Sequence, residues 1–172
     1  MNQNTIQELF ERAQTDPTLR NTLCVEDLLQ QIGAENRQHF AEKTLNQITE
    51  EVVETLTDLG VYSTEFIEKC CRSLLEYQHI DVIHKFQNGR LLRWLRISPI
   101  EHDETKARLK SGALCIGVKF HNSGAYVQCV AANGKYFFQL KFDDFLFYQK
   151  LSAEEQMILA LNQYVQTNET FS

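Results

Sequence analysis

The sequence predicts an α+β fold: a helical N-terminal part, a three- to four-stranded antiparallel meander, and a C-terminal covering helix. Three observations carry the prediction. Apolar residues recur at spacings of three and four through much of the first 110 residues. From Ala113 to about Tyr148 the period changes to two, with turn residues between the alternating runs. The period then returns to helical over residues 152–166. With 172 residues, 43% of them hydrophobic, the chain suits one α+β domain with a substantial core. Its subregions are helices over about 5–110, the meander over about 113–148 and the closing helix.

Taken in order, Ile6, Leu9 and Phe10 mark a short amphipathic helix that Asp16-Pro17 interrupts. Cys24 to Ile32 forms a second, ended by Gly33. The longest helix is expected from Glu35 to Leu59, where Ala41, Leu45, Ile48, Val52, Leu56 and Leu59 make a wide apolar stripe stopped at Gly60. Ser63 caps the next helix. Two segments read ambiguously. Ile80 and Val82 alternate like a strand while Ile83 and Phe86 sit at helical spacing, and a break near His79 is the better reading. Leu91, Leu92 and Leu95 suit a helical face. Ser98, Pro99 and Glu101 make a capping box that opens a helix to about Leu109, with Gly112 as its exit.

In the meander, Leu114, Ile116, Val118 and Phe120 lead into the turn His121-Asn122-Ser123-Gly124. Tyr126, Gln128 and Val130 lead to Asn133-Gly134, a strong hairpin signal because both residues tolerate positive φ. Tyr136, Phe138, Leu140 and Phe142 follow, and Phe145 to Tyr148 adds a short edge strand. Ser152 with Glu155 is a capping box for the last helix. The sheet must cover an apolar face, and this helix and the one over 35–59 are the candidates.

Charge and cysteine usage bound the function. The net charge of −6 gives no general attraction to phosphate backbones. Residues 1–63 hold 4 Lys and Arg against 11 Asp and Glu, whereas residues 64–112 hold 9 against 7. An odd number of cysteines, the Cys70-Cys71 pair and a polar N-terminus point to reduced thiols and a cytoplasmic protein, a nuclear one being compatible. No run of apolar residues approaches a membrane span.

No metal or cofactor motif occurs: there is no Cys-x-x-Cys, no His-Glu-x-x-His and no Gly-rich phosphate loop. Cys70 and Cys71 point about 100° apart on a helix. Cys115 and Cys129 lie in strands and read as packing residues. No catalytic residue is therefore assigned. A cysteine-dependent enzyme of unknown reaction is the third-ranked reading, because a thiol and its base need only meet in space.

The one local anomaly is basic. Lys85, Arg90, Arg93 and Arg96 surround Trp94 with no acid between His84 and Ser98, and Lys106, Arg108 and Lys110 extend the run. On a helix the arginines share one broad side; on a strand Arg93 opposes Arg90 and Arg96. These residues are the candidate interaction surface. The acidic N-terminal helices, a protein partner, or RNA and single-stranded DNA could each neutralise it. The expectation is a non-catalytic protein-interaction module (an adaptor, regulatory subunit, chaperone-like partner or inhibitor). Nucleic-acid binding through residues 84–110 is the alternative. Self-association is a further expectation, through the 35–59 stripe or the edge at 145–147.

Overall fold

The computed structural model describes Phe40, residues 43–98 and residues 108–169. Its elements are α1 (Leu45–Asp58), α2 (Thr64–Ser73), β1 (Tyr77–Ile80), β2 (Leu91–Arg96), β3 (Lys110–His121), β4 (Gly124–Ala131), β5 (Phe137–Lys141), β6 (Phe145–Lys150) and α3 (Ala153–Glu169). Single 3₁₀ turns at Ile83–Lys85 and Phe142–Asp144 link β1 to β2 and β5 to β6. The helices expected before residue 40, and most of the helix expected after Ser98, lie outside the described residues. The fold is α+β, with helices before and after an antiparallel sheet in chain order.

The chain divides into two compact units, Met1–Gln47 with Leu151–Ser172, and Ile48–Lys150. In the first, Ser152 and Glu155 close the expected capping box. Glu155 N–H donates to Ser152 Oγ at 3.1 Å and Ser152 N–H donates to Glu155 Oε2 at 2.6 Å. Asn162 Nδ2 donates to the carbonyls of Phe40 and Lys43, at 2.7 and 2.8 Å.

The start of α1 corrects the helix expected over 35–59. Thr44 is not helical. Its Oγ1 accepts from Gln47 N–H at 3.3 Å, while its own N–H donates to Gln47 Oε1 at 2.9 Å. That is a capping box of the Thr-x-x-Gln type, and it sets a new helix start inside a stripe whose apolar period runs on unbroken.

In the second unit the described residues form a sheet of six strands in the order β1-β6-β2-β3-β4-β5, not three or four. All five pairings are antiparallel. The segment expected as an edge strand is β6, and it lies between β1 and β2. Its side chains explain the placement. Phe145 and Phe147 join one apolar cluster and Leu146 and Tyr148 the other, so the strand is apolar on both faces. A strand of that kind belongs inside a sheet, not at its rim.

β2 likewise resolves as a strand. Leu92 and Trp94 serve one face and Leu95 the other. Its register with β3 shifts between Leu92 and Arg93, opposite Gly112. Gly112 has φ +87°, a bulge conformation suited to glycine, so it bends a strand here where the sequence suggested a helix exit. The Asn133-Gly134 hairpin forms where expected but is longer than two residues. Gly134 N–H bonds the Ala131 carbonyl at 2.7 Å, Ala131 N–H bonds the Tyr136 carbonyl at 2.8 Å, and only Gly134 takes positive φ.

The helix-side cluster joins Val52 and Leu56 of α1, Tyr62, Cys70 and Leu74 to Leu95 and Tyr148 of the sheet. Thr55 Oγ1 lies 3.2 Å from Tyr148 Oη, and Tyr62 Oη donates to the Arg96 carbonyl at 2.7 Å. Ser63 Oγ caps α2 as expected, accepting from Phe66 N–H. The opposite cluster buries Ile80, Leu92, Ala113, Cys115, Val127, Cys129 and Phe147 beneath Phe86, Phe138, Leu140 and Phe142.

His79 sits on the helix side of β1, its ring 5.6 Å from that of Tyr148. Burial pushes its pKa below the ordinary value, and Lys85 adds to this, against the opposing pull of Asp81 and Glu51. A depressed folded pKa means that the unfolded chain takes the proton first. Stability from the neutral imidazole is therefore complete above the unfolded value of about 6.5 and falls as pH drops through it. Urea midpoints should decline between pH 7.5 and 5.5 in the wild type, and His79→Gln should flatten that part of the profile.

Candidate functional site

The structure separates the basic residues that the sequence groups. Lys85 ends a 3₁₀ turn and pairs with Asp81, Nζ to Oδ1 at 2.6 Å. Arg90 Nε donates to Gln87 Oε1 at 3.0 Å. Arg93 lies on the helix side with its guanidinium 4.9 Å from the Tyr77 ring centroid, its Nε buried without a hydrogen-bond partner. Trp94 points to the other face, tilted against Phe138 at 5.7 Å. Arg96 shares that face and covers Phe145 at 5.3 Å. Arg108 and Lys110 are exposed where β3 begins, and Lys106 is outside the described residues. The strand reading of the arginines is thus the one realised, with Arg93 opposed to Arg96. Cation–π contacts use these guanidinium faces within the fold.

A second surface emerges on β3, β4 and β5. Their side chains alternate between the buried cluster and the helix side of the sheet, and the helix-side positions align in three rows across the strands. Leu114, Val130 and Phe137 form the first row, Gly117, Gln128 and Gln139 the second, and Lys119, Tyr126 and Lys141 the third. None of these nine residues is buried. Phe137 is 76% exposed, a high value for a large apolar side chain. The rows follow from the register, which the shift between Cys115 and Gly117 resets midway along β3. That shift puts Ile116 out of the alternation that the sequence alone suggests.

The electrostatics of this half-sheet oppose those of the chain. Strands β3, β4 and β5 contain Lys110, Lys119 and Lys141 and no Asp or Glu. The nearest acids in sequence, Asp143 and Asp144, belong to the turn after β5. Among the described residues β5 pairs only with β4, so its outer backbone edge is unpaired. Tyr126 is held by its hydroxyl, 3.0 Å from Ser123 Oγ, and by an edge contact with the His121 ring at 5.1 Å. A surface with apolar, amide and cationic rows, beside a strand edge that no described strand pairs, can pair a backbone, seat apolar side chains and neutralise carboxylates.

Burial keeps the Cys70, Cys115 and Cys129 thiols protonated while the fold is closed. Cys115 and Cys129 are fully buried, and burial raises both pKa values, that of Cys129 to about 12. Cys70 is pushed up to about 11 by burial, with its neighbour Cys71 adding to the rise. Such thiols carry almost no thiolate at neutral pH. Among the described residues, no group of three His, Cys, Asp or Glu side chains is placed to hold a metal ion, and no helix is long and apolar enough to cross a membrane.

The sequence reading missed Lys119, Tyr126, Gln128, Phe137, Gln139 and Lys141 as a group. The absence of acid between Lys110 and Lys141 was visible, but their alignment depends on the bulge. Comparison of the chain with family models, with curated proteins and with solved structures gives no match.

Proposed function

We propose that the chain is a non-catalytic protein-interaction module that docks an extended, acidic segment of a partner protein on the β3–β5 half of its sheet. The carrying observation is the three-row surface, cationic in a chain of net charge −6, beside the edge of β5 that no described strand pairs. An added strand gains main-chain hydrogen bonds along β5, and its alternate helix-side residues meet Phe137, Gln139 and Lys141, one from each row. Lys119 and Lys141 supply charge selection, which acts on encounter rate and on rejection of wrong partners.

A peptide uses more of this surface than a nucleic acid does. A nucleic acid has no backbone donors to match a strand edge, and three lysines on an acidic protein are a sparse footprint for phosphates. The exposed aromatics would still stack on bases, so that reading is included in the test.

The test is affinity purification of the full chain from its native source, beside the double variant K119E/K141E. The expected result is a protein that the wild type retains, that chemically cross-links to Lys135 or Lys141, and whose retention falls at least about tenfold in the variant. A protein retained equally by both, or nucleic acid retained and released by salt, would overturn the proposal.

A further inference from the structure

Cys115 and Cys129 face each other across β3 and β4. Cys115 N–H donates to the Arg90 carbonyl at 2.9 Å, and its carbonyl accepts from Gly89 N–H at 2.7 Å. Both of its backbone polar groups are thus directed away from β4. In an antiparallel ladder this makes the cysteine pair the non-hydrogen-bonded kind, with Cα atoms about 4.5 Å apart and side chains close. That separation lies inside the range of about 4.4–6.8 Å that a disulfide spans.

The side chains agree with the backbone. Both cysteines belong to the same buried cluster on the same face. The Cys115 thiol leans to the Gly117 carbonyl at 4.0 Å and the Cys129 thiol to the Val127 carbonyl at 3.9 Å. Gly117 pairs with Gln128, next to Val127, so both sulfurs tilt toward the same end of the hairpin. The register shift beside Cys115 adds local freedom for the strands to adjust.

We propose that Cys115 and Cys129 are a redox modification site, at which a low-molecular-weight disulfide installs a cross-strand disulfide in the folded protein. The Cys115 thiolate attacks one sulfur of oxidised glutathione, whose S–S bond breaks and releases one glutathione thiolate. The Cys129 thiolate then attacks the Cys115 sulfur of the mixed disulfide and releases the second. Two electrons pass from the cysteines to the oxidant, and the two thiol protons end on two reduced glutathiones. Both thiols are free in the structure. Because they are buried, the reaction is slow and gated by opening of the strands above them. Cys129 is directly opposite Phe138 of edge strand β5, the cover most easily lifted.

The experiment treats the reduced full chain with oxidised glutathione at neutral pH without denaturant, blocks the remaining thiols after an acid quench, and digests it with trypsin. Cleavage after Lys110, Lys119 and Lys135 places the two cysteines in separate peptides. The expected product is one reducible species joining these peptides, lighter by two hydrogens, with Cys70 and Cys71 still blocked as thiols. Urea-unfolded chain should instead give mixed pairings. Cys115→Ser should abolish the linked species and leave Cys129 joined to nothing larger than glutathione. Full blocking of Cys115 and Cys129 in the folded protein after prolonged treatment, or native pairings as scrambled as those in urea, would overturn the proposal.

Discussion

Phe147→Ala should destabilise the protein by about 3–5 kcal/mol, lowering the melting temperature by on the order of 10 °C. Phe147 is 0% exposed on an interior strand of the sheet, where β6 runs between β1 and β2. Its ring stacks on Phe142 at 5.9 Å and meets the edges of Phe86 at 5.3 Å and Phe145 at 6.1 Å. Truncation removes the transfer free energy of the ring and leaves a void that three neighbouring rings cannot all close. Trp94, the sole tryptophan, packs against the same cluster, so its fluorescence in urea titrations reports the loss directly. A cost below about 1 kcal/mol would contradict the interior placement of β6.

Leu56→Ala should cost about 2–5 kcal/mol, by the same measurement. Leu56 is 0% exposed and ties α1 to the sheet through the cluster that contains Leu95 and Tyr148. The sheet separates this cluster from that of Phe147, and the two share no member. Effects on sites without common partners add, so the double variant should equal the summed single losses within about 0.5 kcal/mol. Marked non-additivity would mean that the two faces form one packed core.

The pattern of success in the sequence reading has a physical basis. Signals confined to a few neighbouring residues were legible: the Ser152–Glu155 box, the Ser63 cap and the turns at Asn122-Ser123 and Asn133-Gly134. The three consecutive strands β3, β4 and β5 were also legible, because each is buried on one face and so alternates. β2 and β6 are apolar on both faces, which erases the period of two and lets Leu91, Leu92 and Leu95 mimic a helix. The break at Thr44 was hidden by a stripe that continues through it, although the Thr-x-x-Gln signature was there to be read.

The candidate site was less legible than the fold. A run of arginines around a tryptophan is conspicuous in one dimension, yet in three its members split between the two faces and lie over Tyr77 and Phe145. Lys119, Tyr126 and Lys141 are far apart in sequence and become neighbours only through the register of three strands. A bulge that adds one residue reverses which side chains face out, and no local pattern announces it.

Hydrogen exchange on the full chain, with and without the protein it retains, tests the docking surface most directly. The account predicts slowed exchange at the amides of β5, Phe137–Lys141, with the β2 amides over Leu91–Arg96 unchanged. Protection gained over residues 84–96 with β5 unaffected would contradict it and return the function to the arginine segment.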